Sequence, residues 1–225
     1  MRFVARALGC VVVALALPFL GAGFGRFGLL VGVGVAAALL MWVWLWLPRT
    51  AHSSFQAGKY AKAARRYRML GALATSRARE RAALLSRSGC YVAEGNLAAA
   101  DRMLALLENH DLAAAERAVW LNNRACRTLL ADTDPHAGRA ALALADEASA
   151  LRPDVPAVQH TRGMALLAVG RVDDAIAVLD GMRAGGELPP RLEAERCRYL
   201  ARAWTQKGEA AYAEDYRLRA EALAR

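Results

Sequence analysis

The 225-residue chain has few of the residues that break helices or build disulfide frameworks. It contains seven prolines and four cysteines, and no Cys-x-x-Cys pair occurs. Runs of β-branched residues are confined to the N-terminus, while alanine and leucine dominate the remainder. The scarcity of proline and of strand-forming runs favours an all-helical protein. The cysteine pattern excludes a disulfide-stapled fold and fits a reducing compartment.

The motifs of common enzyme classes are also missing. The chain contains no Gly-x-Ser-x-Gly, His-Glu-x-x-His or P-loop motif, and its four histidines stand apart from other metal ligands. The carboxylate pairs Asp173–Asp174 and Glu193/Glu195 lie among arginines, where we expect solvated charge rather than acid–base chemistry. We therefore expect a protein that is not an enzyme and that binds no cofactor and no metal.

Acidic residues are absent from the first 50 residues, which carry four basic side chains. Residues 51–90 carry nine basic residues and one acidic residue, whereas residues 91–225 carry 17 basic and 20 acidic residues. The net charge of +9 therefore belongs to the N-terminal part of the chain. The slightly acidic remainder argues against a nucleic-acid-binding surface spread over the whole domain, so we expect no nucleic-acid partner.

Two apolar runs occupy the N-terminus, at about residues 4–21 and 27–47. The second contains no charge, and at 1.5 Å per residue it spans roughly 31 Å, about one hydrocarbon core. We predict that residues 1–49 form two transmembrane helices in a hairpin. Cleavage of the first run as a signal peptide stays open, and it would leave the second run as a single anchor.

The residues around the second run indicate its orientation. Trp42, Trp44 and Trp46 crowd its C-terminal end, as is typical of a membrane interface, and we expect Pro48 to end the helix. Basic residues precede the first run and follow the second one. The positive-inside rule then predicts a multi-pass protein of a bacterial inner membrane, with both ends in the cytoplasm.

Small residues form a row on the second run at Gly28, Gly32 and Ala36. Such a row lets two helices approach closely in lipid. It fits packing against the first run, and it also fits a homo-oligomer seam.

The segment after the membrane run carries a basic stripe of four residues, Lys59, Lys62, Arg65 and Arg66. We expect the stripe to lie within reach of an anionic leaflet, where each charge contributes about 1 kcal/mol. The alternatives are a solvated face whose charges only set the topology, and binding of RNA or another polyanion.

Internal repeats follow. Turn positions align at Gly58, Gly95, Asp132, Gly170 and Gly208, so that their spacing is close to 38 residues throughout. Two amphipathic helices flank each turn, with apolar residues at steps of three and four. Such helix pairs cannot bury both faces alone and need copies of themselves on either side.

The pattern around the turns is Gly170-Arg-Val172-x-x-Ala175-x-x-x-Leu179, and it recurs with variations at the other glycines. These stretches resemble tetratricopeptide repeats over roughly Ser54 to Leu223. At Asp132 a longer polar loop replaces the glycine, and we expect the next helix to begin near Gly138. The resemblance implies that residues 50–225 form a right-handed α-solenoid of about four to five helix pairs. The layout alone also resembles the HemY-like membrane proteins associated with haem biosynthesis.

The resemblance further implies a concave groove lined by the first helix of each pair. Its positions in this chain are Leu85, Gly89, Val92, Asn122, Cys126, Leu129, His160, Met164, Leu167, Arg198 and Arg202. A largely apolar groove with cations at one end suits an amphipathic or extended peptide that carries an acidic side chain or a C-terminal carboxylate. Alternatively, several of these residues pack only against neighbouring helices, or the C-terminal helix fills the groove.

These patterns together predict a membrane-anchored scaffold or adaptor that recruits a protein partner at the cytoplasmic face. Two alternatives remain open at this stage. One is an auxiliary or regulatory subunit of a membrane-associated enzyme or assembly pathway, as the HemY-like layout suggests. The other is a structural protein at an anionic lipid surface.

Overall fold

The computed structural model describes residues 25–131 and 134–223. Every regular element within these two ranges is helical. In chain order the elements are α1 (Gly25–Met41), a π-helical segment (Trp42–Trp46), α2 (Leu47–Gln56), α3 (Tyr60–Ala72), α4 (Arg77–Glu94), α5 (Leu97–Ala105), α6 (Ala114–Ala131), α7 (Pro135–Leu151), α8 (Pro156–Ala168), α9 (Val172–Gly181), a 3-10 turn (Met182–Gly185), α10 (Pro190–Lys207) and α11 (Ala210–Leu223). The all-helical class predicted from composition is confirmed for this part of the chain.

The chain divides into two compact units, Met1–Glu94 and Gly95–Arg225. Helices α1 to α4 belong to the first unit, and α5 to α11 belong to the second. The composition had suggested a boundary between residues 49 and 50, but one helical run crosses that point. A separate repeat domain over residues 50–225, and its right-handed winding, stay predictions.

One helix among the described residues, Leu30–Gln56, is long and apolar enough to cross a membrane. It meets this criterion by its length and composition, with a mean hydropathy of 2.2 over its apolar window. The other predicted transmembrane segment, residues 4–21, lies outside the described residues. The hairpin therefore stays a prediction.

The prediction that the apolar helix ends at Pro48 is wrong, because the helix continues to Gln56. Proline lacks a backbone N–H, and its ring clashes with the carbonyl four residues earlier in an α-helix. Here the wider π-helical segment directly precedes α2, and the Leu47 N–H donates to the carbonyl of Trp42, five residues back. The widened turn accommodates the proline in the first turn of α2.

Four of the predicted turn glycines separate consecutive helices. Gly58, Gly95, Gly170 and Gly208 have φ angles of 69°, 77°, 78° and 84°. This left-handed backbone region is readily open to glycine alone. The prediction of tandem helix–turn–helix pairs is confirmed at these turns.

The irregular turn before α7 differs from its prediction. Asp132 lies outside the described residues, but α7 begins at Pro135 rather than near Gly138. The Asp134 side chain caps the helix by accepting a hydrogen bond from the His136 N–H at 3.0 Å. An aspartate cap followed by proline at the first helical position is a strong start signal, which explains the earlier beginning.

The first unit packs α3 between α2 and α4. Ala63 and Ala64 of α3 and Cys90 of α4 form a buried cluster. Arg66 of α3 donates to the Thr50 carbonyl and to Ser54 Oγ of α2, each at 2.6 Å. The small core residues allow close helix contact, and the arginine ties the pair together.

The core of the second unit lies where α8, α9 and α10 meet. Leu166, Ala175, Leu179 and Leu200 are fully buried there. Gly163 of α8 faces Leu179, since an added Cβ would lie 2.6 Å from Leu179 Cγ. The absence of a side chain at Gly163 therefore lets α8 and α9 approach closely.

An ion pair recurs between neighbouring pairs of helices in the second unit. Asp146 of α7 accepts from Arg162 of α8 at 2.6 Å, and Asp180 of α9 accepts from Arg196 of α10 at 3.3 Å. Each acid lies on the second helix of one pair, and each arginine lies on the first helix of the next. The repeats therefore share a polar contact as well as an apolar core.

Candidate functional site

The first helices of three successive pairs, α6, α8 and α10, pack in order within the second unit. Helix α6 contacts α8, and α8 contacts α10. They carry eight of the predicted groove residues: Asn122, Cys126, Leu129, His160, Met164, Leu167, Arg198 and Arg202. We call these eight residues the inner row.

His160 lies in the middle of the inner row and is buried. Its ring meets Tyr199 of α10 edge-on, with centroids 5.2 Å apart and planes at 80°. Burial lowers the pKa of His160, against the opposing effect of the nearby Glu195 carboxylate and a hydrogen bond to the Glu195 backbone. The imidazole is therefore neutral near pH 7 and serves the contact between α8 and α10.

Cys126 and Asn122 form the polar part of the row on α6. Cys126 Sγ lies 3.0 Å from Thr161 Oγ1 of α8, and burial raises the pKa of the thiol to about 11. Among the described residues, Asn122 Oδ1 and His160 Nε2 are buried without a hydrogen-bond partner. The thiol is thus protonated and unreactive, and this polar strip joins helices rather than performing nucleophilic chemistry.

Accessibility changes along the row. Leu167 is buried, whereas Leu129 and Met164 are half-buried and Arg198 and Arg202 are exposed. The exposed and half-buried members are the ones that a partner can reach. The row is thus part packing and part surface, which combines the two alternatives drawn from the sequence.

The remaining groove residues lie on α4 in the first unit. Leu85 and Val92 are buried, and Gly89 is half-buried. The two apolar side chains therefore belong to the packed interior of the structure. That Leu85 and Val92 line a groove stays a prediction, and neither side chain presents much surface to a partner.

The basic stripe keeps three exposed members. Lys59, Lys62 and Arg65 are exposed on or beside α3. Arg66 is half-buried and holds α2 through the two hydrogen bonds described above. That structural role was not visible in the sequence, where all four residues fell in one charged segment.

The small-residue row on α1 is covered within the structure. Gly32 and Ala36 are buried, and Gly28 is half-buried. A homo-oligomer seam at these three residues remains untested.

Sequence reasoning missed the charged cluster around Arg196. This arginine is 2% exposed and donates to both carboxylate oxygens of Glu193 at 2.7 Å. The hydrogen bonds from Arg196 hold the pKa of the Glu193 carboxyl below its usual range. Glu193 is therefore not the solvated charge that the sequence suggested.

No group of three or more His, Cys, Asp or Glu side chains in the described ranges is arranged to hold a metal ion. This observation leaves the expectation of a non-enzymatic protein untested.

No protein-family model matches the chain, and no curated protein matches it. Among solved structures the chain is similar to MamA MSR-1 C2, with 18% sequence identity and a TM-score of 0.45. The match covers 80% of this chain and 95% of that one. None of these comparisons supports a resemblance to the HemY-like proteins, and a similarity of this size carries no inference about what the chain binds.

Proposed function

We propose that the chain is a helical-repeat scaffold, held at a membrane by its N-terminal apolar helix, that binds a protein partner on the cytoplasmic side. The packing of α6, α8 and α10 in succession carries the proposal. It places two half-buried residues, Leu129 and Met164, and two exposed residues, Arg198 and Arg202, on neighbouring first helices. A mixed apolar and cationic row of this kind is suited to an amphipathic segment of another protein.

Charge division between the two units supports the orientation. Residues 1–94 carry 13 basic and two acidic residues, and residues 95–225 carry 17 basic and 19 acidic ones. A basic unit that includes the apolar helix fits the cytoplasmic leaflet, and a nearly neutral second unit fits protein binding.

The binding proposal is tested by replacing two reachable residues of the row. Leu129→Arg together with Met164→Glu should abolish capture of the partner from membranes by the full chain. Met103→Glu, a half-buried methionine of α5 outside the row, is the matched control. Circular dichroism must show equal helicity, and undiminished capture by a folded double variant contradicts the proposal.

The topology is tested by alkaline phosphatase fused after Arg225. We expect no phosphatase activity, because the enzyme folds only where disulfides form. High activity would place the second unit on the other side of the membrane.

A second candidate function rests on the exposed cations of the first unit. Lys59, Lys62 and Arg65 are exposed, and no acidic residue precedes Glu80. A structural role at an anionic lipid surface would follow if charge reversal at Lys59 and Lys62 detached the chain from its membrane.

A further inference from the structure

The last two described helices, α10 and α11, form the walls of an open groove of ≈ 940 Å³. We call it the terminal crease. Small side chains, among them Ala201, Ala213 and Ala220, line it, and Arg198 and Arg202 lie along its α10 side. The lining residues of α10 run from Arg198 to Gln206, which at 1.5 Å per residue is about 12 Å, or about two helical turns.

The crease lies on the side of α10 that the preceding helices leave open. Leu200 and Ala203 pack into the core with α8 and α9. Ala201 and Thr205 line the crease, and the helical repeat of 3.6 residues puts them on the opposite side of α10. Within the described residues, the crease is lined only by α10, α11 and the turn between them.

The two arginines at the crease are free to bind an anion. Both are exposed, and among the described residues neither has a carboxylate partner. Arg202 lies 5.4 Å from the centre of the Tyr199 ring, which holds it in place. Arg217, the cation on the α11 side, is already paired with Glu214 and Glu221. The available positive charge is therefore confined to α10, at an i, i+4 spacing.

The terminal crease differs in polarity from the contacts between the repeats. In the two preceding contacts an aspartate on the second helix accepts from an arginine on the next first helix: Asp146 from Arg162, and Asp180 from Arg196. Each aspartate stands five residues after a fully buried alanine, Ala141 or Ala175.

In α11 the corresponding alanine is Ala213, and the residue five positions later is Leu218, which is 51% exposed. The terminal pair thus lacks the acid that receives an arginine and offers two arginines in its place. A further repeat of the same kind, or a second copy of this chain, does not match that charge pattern.

We propose that the terminal crease binds an amphipathic helix of another protein, with two carboxylates one turn apart facing Arg198 and Arg202. The apolar side of that helix, built from small or medium-sized residues, packs on the alanines of the crease, and Leu218 flanks it. This inference rests on the proposed scaffold function and names the chemistry of its partner.

The test uses the full chain in its native membrane. A photo-crosslinking amino acid replaces Gln206, an exposed residue that lines the crease. Mass spectrometry of the adduct should identify a helical segment of another protein with Asp or Glu at i and i+4. Arg198→Glu with Arg202→Glu should lower the adduct yield about tenfold, since two charge pairs become like-charge contacts.

The control replaces two exposed arginines outside the crease, Arg102→Glu and Arg139→Glu, and should leave the yield unchanged. A synthetic peptide with the captured sequence should bind the intact chain, and its Lys-for-Glu counterpart should bind the Arg198→Glu/Arg202→Glu variant instead. An adduct to a second copy of this chain, an adduct that ignores charge reversal, or no adduct at Gln206 overturns the inference. If crosslinking at Met164 still captures a partner in those cases, the scaffold function stands and only the crease assignment fails.

Discussion

At the scale of single residues, the second unit depends on positions where size or protonation is tightly constrained. Gly163 and His160 lie three residues apart on α8 and are both buried. The short distance to α9 limits the size of the side chain at position 163, and burial against α10 keeps the His160 imidazole neutral. Each therefore supports a prediction of its own.

Gly163→Ala should lower the melting temperature of the second unit by about 2–4 °C. Alanine favours a helix by about 1 kcal/mol over glycine. However, its Cβ would lie 2.6 Å from Leu179 Cγ in a fully buried contact, and overpacking costs about 1–3 kcal/mol. Circular dichroism melts of the full chain in detergent measure the outcome.

Gly181→Ala is the matched control, because nothing lies within 4 Å of an added Cβ there. We expect that variant to melt at or above the temperature of the parent. A Gly163→Ala variant of equal or higher stability would show that α8 and α9 are not this close.

His160 should make the second unit less stable in mild acid. Its pKa in the folded chain lies below the ordinary value of 6.5 because burial disfavours the cation. Its contribution is therefore constant above about pH 6.5 and decreases as the pH falls through the lowered folded pKa, because the unfolded chain then binds the proton more readily. His160→Phe keeps the aromatic contact with Tyr199 and removes the titration.

The measurement compares melting temperatures at about pH 7.5 and about pH 5, which lie on either side of the ordinary histidine pKa. The parent should lose more stability than His160→Phe over that interval, while the carboxylates common to both proteins cancel. Equal losses would mean that His160 is solvated in the folded chain.

At the scale of elements, the contact between α9 and α10 is held by Arg196. This arginine donates to Glu193 on its own helix and to Asp180 on α9. We expect Arg196→Met to lower the free energy of unfolding by about 3 kcal/mol, because it removes the bidentate partner of the mostly buried Glu193 carboxylate and leaves only Arg183, 4.0 Å away.

Arg171→Met is the comparison, since Arg171 pairs with Asp174 at an exposed i, i+3 site. Exposed pairs contribute about 0–1 kcal/mol, so that variant should be close to the parent in a chemical denaturation series. Similar losses in the two variants would remove the case for a buried ionic contact between α9 and α10.

The helix pairs could be predicted from the sequence because glycine turns leave a local signal. A turn is predicted wherever a glycine, which readily adopts a left-handed backbone, is flanked by apolar residues at helical spacing. This holds at Gly58, Gly95, Gly170 and Gly208. The burial of Arg196 could not be predicted, since it depends on a carboxylate of the preceding pair. The π segment before Pro48 was also missed, because its hydrogen bonds depend on the backbone and not on a residue pattern.

The accessibility of the inner row follows from tertiary packing as well. The resemblance to tetratricopeptide repeats assigned His160, Met164 and Leu167 to the groove side of α8. Only the positions of α9 and α10 make Leu167 buried and Met164 half-buried. The sequence therefore predicted which helix carries the candidate site but not which of its side chains reach solvent.

At the scale of the whole molecule, the apolar helix and the basic stripe offer two different attachments to a membrane. Leu30–Gln56 is long enough to cross one, while Lys59 and Lys62 provide surface charge. An inserted helix resists both salt and alkali, whereas a surface attachment through exposed charges is screened by salt.

We expect the full chain to remain in the membrane pellet after washing with high salt and alkaline carbonate, and to do so equally after Lys59→Glu with Lys62→Glu. Immunoblots of the pellet and supernatant give the distribution. Release of the parent by high salt, or of the double variant at low salt, would favour the lipid-surface role over the anchored scaffold.

The π-helical segment has a geometric consequence for the first unit. Its one extra residue per turn rotates everything after it by about 100° about the helix axis. Leu47, Ala51 and Ser54 are buried on α2, and Ser54 receives Arg66 of α3. Deleting one residue from Trp42–Trp46 would restore regular winding and rotate α2 and α3 together relative to α1. The π-helical segment thus fixes the direction in which α2 and α3 project from the axis of the apolar helix.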